Sequence, residues 1–159
     1  MWRLDELRVT RSHPGRAMSR IEQARRRARE VAFRVVYQSD VASDSYADTW
    51  RARRREEALT EDQAQLVDDV VAVLEQRGRE VDAELQQAAR NWSLDRLGAT
   101  DRSVLRAAVA ELLGRPGTPV RVVLDEAIEI ARRYGTEDSG RFVNGVLDRV
   151  ARTLRAGEF

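Results

Sequence analysis

The sequence predicts an all-α fold of about seven helices in two small bundles. Apolar residues recur at three- and four-residue spacing along most of the chain, the period of a helix with one buried face. Few segments alternate with period two, and Gly and Pro are scarce, nine and three among 159 residues, so strand signals are weak. Hydrophobic residues make up 42% and charged residues 35%, a balance suited to helices with one apolar and one solvated face.

Residues 1–19 read as a flexible arm, since His13-Pro14-Gly15 breaks the chain and no sustained periodicity precedes it. Met18 is a candidate alternative start. Ser19 is placed to cap a helix over 20–42, whose stripe is Ala24, Ala28, Val31, Ala32, Val35 and Val36. A turn follows at 43–46, then an Arg-rich helix with a weak pattern around 50–58. Thr60-Glu61-Asp62-Gln63 has capping-box spacing and opens a helix to about residue 77. Leu66, Val67, Val70, Val73 and Leu74 form its stripe, and Gly78 ends it. Residues 81–92 form the next helix, with Leu85, Ala88, Ala89 and Trp92 on one side, and 94–97 is a short turn.

Thr100 or Asp101 starts a helix with Val104, Leu105, Ala108, Val109, Leu112 and Leu113 on its apolar face, broken by residues 114–119. Residues 120–134 form a helix with Val123, Ala127, Ile130, Ala131 and Tyr134 facing inward. Gly135 can close it with a positive φ, and Thr136 can cap the last helix, 138–154, with Glu137 and Asp138 at its positive end. Phe142, Val143, Val146, Leu147 and Val150 are its stripe. Asn144 and Gly145 are poor helix formers in a helix interior, so that helix answers to something besides its own stability. The expected organisation is an arm over 1–19, an N-terminal lobe over 20–80 carrying the Arg-rich helix, and a C-terminal bundle over 81–156.

Composition excludes much chemistry. The chain lacks Cys, so disulfides, Cys-based metal sites and cysteine nucleophiles fall together. Its single His, His13, lies in the arm, and no Gly-rich phosphate loop occurs. Glu126 and Glu129 lie within one turn, but a carboxylate pair without a nucleophile or metal is weak evidence of catalysis. The expectation is therefore no enzyme, no cofactor and no bound metal. No apolar run is long enough to span a membrane and no secretory signal is visible, so a cytoplasmic location is expected.

Charge is informative by position. The net charge is +1, and all 28 basic residues are Arg, which reads first as the codon bias of a GC-rich genome. Residues 8–34 are strongly basic and 56–84 acidic, a split that suggests a local anionic partner. On the first helix, Arg26, Phe33 and Tyr37 fall on one flank with Arg29 adjacent. Guanidinium groups beside aromatic rings suit single-stranded RNA, which is held by phosphate contacts and base stacking. Packing of Phe33 and Tyr37 under a neighbouring helix is the competing explanation. Asp101-Arg102-Ser103-Val104-Leu105-Arg106 presents arginines at i, i+4, read either as solvated capping or as a polar docking surface.

These elements together resemble the NusB family of bacterial transcription antitermination factors. The resemblance runs from Arg25-Arg26-Arg27-Ala28-Arg29-Glu30 and Tyr37-Gln38 through Asp101 to Arg106 and on to Ala110-Glu111-Leu112. It is densest at Asp125-Glu126-Ala127-Ile128-Glu129, Tyr134-Gly135, Glu137-Asp138-Ser139 and Arg141-Phe142-Val143-Asn144-Gly145-Val146-Leu147-Asp148. It covers residues 20–154 in order. The family often has Asn where this chain has Asp125 and an aromatic residue where it has Ala110.

The resemblance implies a non-enzymatic protein of two helical bundles. It implies pairing with the small-subunit ribosomal protein known as NusE, and binding of the pair to boxA, a short single-stranded RNA element in ribosomal RNA leaders. It further implies assembly with other Nus factors on RNA polymerase elongation complexes. Family members occur as monomers and homodimers, so a homodimer is a further implied partner. On matching positions, Arg25, Arg26, Arg27 and Arg29 would contact RNA, with Tyr37, Phe142 and Asn144 at or near the RNA surface. Asp101, Arg106 and Glu111 would belong to the NusE side, and Asp138 matches an acidic position near both surfaces. Related bundles also serve as RNA-binding domains of ribosomal RNA cytosine methyltransferases, but those enzymes need a cysteine nucleophile and an α/β domain, and this chain has no Cys. A helical adaptor that uses its acidic 56–84 surface without binding RNA is the remaining alternative.

Overall fold

The computed structural model describes residues 18–159. The expectations for residues 1–17, including the breaker and most of the arm, lie outside the described residues. Six α-helices follow: α1 (Arg20–Ala42), α2 (Tyr46–Arg54), α3 (Glu61–Ala88), α4 (Ala99–Gly114), α5 (Val120–Tyr134) and α6 (Ser139–Leu154). Single 3₁₀ turns lie at Leu94–Arg96 and Ala156–Glu158, and no strand occurs among the described residues. The all-helical class holds, while the count and the two-bundle division change slightly.

The count changes because residues 61–88 form one bent helix. At Arg77 the backbone leaves helical geometry (φ −129°, ψ 25°), so two helical segments meet at a kink at the place where Gly78 is expected to end the first. Buried Val70, Leu74, Val81 and Leu85 keep a helical spacing across the bend. Continuing that buried face outweighs the roughly 1 kcal/mol that an interior Gly costs. The division weakens because α3 packs on α1, α4 and α6, so one hydrophobic core runs through both expected bundles. Leu66, Leu85, Leu105, Leu112 and Leu147 are fully buried in it, each stabilising by about 1.5–3 kcal/mol.

Capping chemistry sets most helix starts. The Ser19 hydroxyl accepts from the Glu22 N–H while the Glu22 carboxylate accepts from the Ser19 N–H, and Thr60 and Gln63 repeat this at α3. Ser45 caps α2, which starts earlier than the weak pattern suggested and buries Thr49 and Trp50. The last helix starts at Ser139, without the expected Thr136 cap; the Ser139 hydroxyl instead accepts from the Thr136 N–H at 2.9 Å. Gly135 is extended (φ −94°, ψ −160°) and does not use a positive φ. It is needed for close approach: a Cβ there would lie 2.3 Å from Ser139 Oγ and 2.7 Å from the Ala131 carbonyl oxygen.

Trp92 departs from its expected place. Helix α3 stops at Ala88, so Trp92 leaves the stripe of Leu85 and Ala88 and lies 55% exposed. Gln86 clamps this turn, donating to the Trp92 carbonyl and accepting from the Leu94 N–H.

Candidate nucleic-acid interface

The basic run on α1 is fully engaged with carboxylates. Arg25 donates twice to Asp62, at 3.1 and 3.0 Å. Arg26 grips Glu126 of α5 through two 2.9 Å bonds. Arg27 bonds Glu57 at 3.0 Å. Arg29 bonds Glu111 of α4 in a fork, with Nη2 2.7 Å from Oε2 and Nε 2.9 Å from Oε1.

Burial divides these four pairs. Arg29 and Glu111 are 7% and 3% exposed, sealed between α1 and α4. Arg29, expected at the RNA, and Glu111, expected on the partner side, are thus engaged with each other in the interior. Helical spacing from Ala28 and Ala32 turns Arg29 inward, and Glu111 lies on the apolar stripe of Val104 and Ala108. Beside the pair is a cavity of about 20 Å³ lined by Phe33, Leu66, Val104 and Ala108, enough for one water. Glu126 is also buried while Arg26 stays partly exposed, so moving Arg26 away would strand a desolvated carboxylate.

The outer pairs can exchange partners. Asp62 is half exposed and can be resolvated when Arg25 leaves it. Glu57 also faces Arg53 at 3.4 Å, so it keeps a cation when Arg27 leaves. The Asp62 carboxyl is held below its ordinary range chiefly by the hydrogen bonds from Arg25, and Arg25 is raised by the same bonds.

The aromatic flank is split as well. Phe33 is buried and stacks on Tyr134 with centroids 5.2 Å apart, so the packing explanation holds for it. Tyr37, 6.1 Å from Phe33, is 39% exposed and offers an open face. Arg34 reaches over the Tyr134 ring and donates to its hydroxyl at 2.8 Å, while Glu30 pairs with Arg34 and Arg133. On α6, Phe142 is half-buried against the core and Asn144 is exposed.

On the expected partner side, Asp101 is half-buried in the first turn of α4. Arg106 is largely buried and bonds Asp82 at 2.9 and 3.1 Å with Asp40 at 3.5 Å. Arg102 joins Asp40 at 2.6 Å and the Leu97 carbonyl at 2.7 Å. These arginines tie α4 to α1 and α3. Asp138 occupies the N-cap position of α6, exposed and without a capping bond. Sequence reasoning missed Glu126, Glu111, Asp62 and Glu57 as arginine partners. Glu111 and Glu126 carried a readable signal, since each interrupts an apolar stripe; Asp62 and Glu57 carried none.

Among the described residues, no group of His, Asp or Glu could hold a metal ion, and no helix is long and apolar enough to cross a membrane.

A family model, the NusB family, matches residues 26–152. A transcription antitermination protein NusB from Anaeromyxobacter dehalogenans is 45% identical over 138 residues, covering 84% of this chain and 96% of the relative. The structure of T. maritima NusB superposes with a TM-score of 0.75 at 36% identity, over 80% of this chain and 90% of that one. A crystal structure of antitermination factors NusB and NusE in complex with dsRNA gives a TM-score of 0.64 at 28% identity, over 82% and 98%.

Proposed function

The chain belongs to the NusB family of non-enzymatic transcription antitermination factors, and from that membership we propose that it binds boxA RNA together with NusE. The pair would then act in the cytoplasm with other Nus factors on RNA polymerase, promoting transcription of ribosomal RNA operons. The observation that carries this reading is the match across residues 26–152, which takes in the carboxylates that pair with the α1 arginines. The likeness to the NusB, NusE and dsRNA complex supports RNA and NusE as partners.

Within this reading the α1 arginines divide the work. Arg25 and Arg27 exchange exposed or doubly paired carboxylates for RNA phosphates, and Tyr37 offers a ring to a base. Phe142 and Asn144 extend the RNA surface onto α6. Arg26 and Arg29 hold α1 against α5 and α4, keeping the outer arginines in register. Asp101 and Asp138 are the acidic residues offered to NusE, and Arg106 positions α4 from beneath.

The test is a titration of boxA RNA with this protein alone, with NusE alone and with both, against a scrambled RNA and a double-stranded RNA. Tighter binding by the pair than by either part, with boxA preferred, is expected. Equal affinity for boxA and scrambled RNA would refute it and favour the adaptor reading. The oligomeric state, monomer or homodimer, is read from the same samples by sedimentation.

A further inference from the structure

A second surface stands apart in its charge. Where the turn after α3 meets α6, a groove of about 390 Å³ is lined by Arg90, Trp92, Arg141, Phe142, Gly145 and Arg149, with no carboxylate in its lining. That is unusual here, because most arginines of the described chain have a carboxylate partner. By contrast, the groove along the bend of α3 places Arg77 and Arg79 among Glu75, Glu80 and Asp82. Within α6 the one acid, Asp148, is engaged with Arg152 at 2.9 Å.

The groove is also shaped in advance. Trp92 keeps its ring open to solvent, whereas Trp50 is buried and donates to Asp68 at 2.7 Å. Gln86 fixes the turn that carries Trp92 from both sides. Arg149 is anchored by a 2.8 Å bond to the Ala88 carbonyl. Gly145 leaves the wall bare, with nothing within 4 Å of where a Cβ would stand. A mid-helix glycine costs roughly 1 kcal/mol relative to Ala, and the exposed indole contributes none of the stability its burial would give, so the fold gains from neither.

We propose that this groove takes one unpaired nucleotide of single-stranded RNA, its base stacked on Trp92 and its flanking phosphates held by Arg90 and Arg141. An aromatic face beside guanidinium groups, without carboxylates to repel phosphate, is the chemistry of single-strand binding. Because Gly145 has no side chain, the base has room against α6. The proposal rests on the RNA reading above, shares Phe142 with it, and adds Arg90, Trp92, Arg141 and Gly145, which that reading does not use.

The experiment measures affinity for a labelled single-stranded boxA RNA by fluorescence anisotropy, with thermal melts to verify folding. Trp92→Ala is expected to weaken binding about fivefold to 150-fold, the range for losing one stacked base. Trp92→Phe should keep most of the affinity. Gly145→Leu should fill the groove and weaken binding comparably, while folding normally at an open helical position. Arg90→Ala with Arg141→Ala should lower the slope of log affinity against log salt by about 1.4, or about 0.7 per phosphate. If Trp92→Ala and Gly145→Leu bind within twofold of the wild type while boxA preference persists, this inference fails and the family reading stands. If the wild type shows no boxA preference yet both variants lose single-strand affinity, the groove stands and the boxA reading fails. If both variants keep RNA affinity but lose NusE, the occupant is a protein and the proposal is overturned.

Discussion

Substituting Arg29 separates a structural arginine from an RNA-binding one. Arg29→Ala removes the fork on Glu111 and leaves a carboxylate 3% exposed among apolar side chains. Breaking a buried pair from one side costs about 3–5 kcal/mol, because the remaining charge is desolvated and uncompensated. For a chain of this size, each kcal/mol lowers Tm by about 2–4 °C, so a drop of roughly 6–20 °C is expected. The double substitution Arg29→Met with Glu111→Leu removes both charges and keeps apolar volume. It should recover most of the loss and could exceed wild-type stability, as buried pairs replaced by hydrophobes often do. Urea unfolding at neutral pH supplies the free energies, and RNA affinity is measured per folded molecule. A melting shift under about 2 °C for Arg29→Ala, together with a tenfold loss of RNA affinity, would refute the buried-pair account. That result would return Arg29 to the RNA surface.

Three further predictions follow from the geometry. Arg25→Ala and Arg27→Ala should each leave Tm nearly unchanged, since exposed pairs contribute about 0–1 kcal/mol, yet each should reduce the RNA salt slope by about 0.7; unchanged slopes would remove them from the interface. Gly135→Ala should destabilise by about 1–3 kcal/mol through the clash with Ser139 Oγ and the Ala131 carbonyl, while Gly145→Ala should stabilise by about 0.5–1 kcal/mol. Opposite signs in parallel thermal melts are the check. Asp62 has a folded pKa lowered from 3.8, so the stability it contributes is present above that value and lost as pH falls through the folded one. The stability difference between wild type and Asp62→Asn should therefore be flat, and under about 1 kcal/mol, from pH 7 down to about pH 4, and vanish below; a difference growing toward acid would contradict the pairing with Arg25.

Local chemistry made much of the fold legible. The starts of α1 and α3 were readable because each capping box is complete within four residues. The limits of α5 were equally clear from its apolar stripe. What failed was chemistry that depends on distant partners. The break expected at Gly78 is present as a kink at Arg77, but Val81 and Leu85 resume the same buried face beyond it, which no local pattern announces. Trp92 fits the stripe of α3 on paper, yet the helix ends before reaching it. No local pattern assigns Arg26 to Glu126, one hundred positions away. Residues near position 159 act at similar range: Glu158 accepts from the Val120 N–H at 2.9 Å and Arg155, just past α6, donates to the Leu112 carbonyl, together fixing the turn between α4 and α5.

On the proposed reading the run Arg25-Arg26-Arg27-Ala28-Arg29 has two jobs, separated by how deeply each arginine's carboxylate partner is buried rather than by angle, since Arg25 lies only about 40° from Arg29 on the helix. Arg26 and Arg29 lie about 60° apart on the helix and point toward α5 and α4, where buried carboxylates await them. Arg25 and Arg27 lie about 100° to either side of Arg26 and meet carboxylates that solvent or a second arginine can take over. An anion approaching this helix can win the outer pair cheaply but gains nothing from the inner pair, whose release would strand Glu126 or Glu111. Affinity for RNA then depends on how rigidly the inner arginines hold the outer ones. A substitution at Arg26 should accordingly weaken RNA binding through stability and positioning, leaving the salt slope near its wild-type value, whereas one at Arg27 should change the slope and spare the fold.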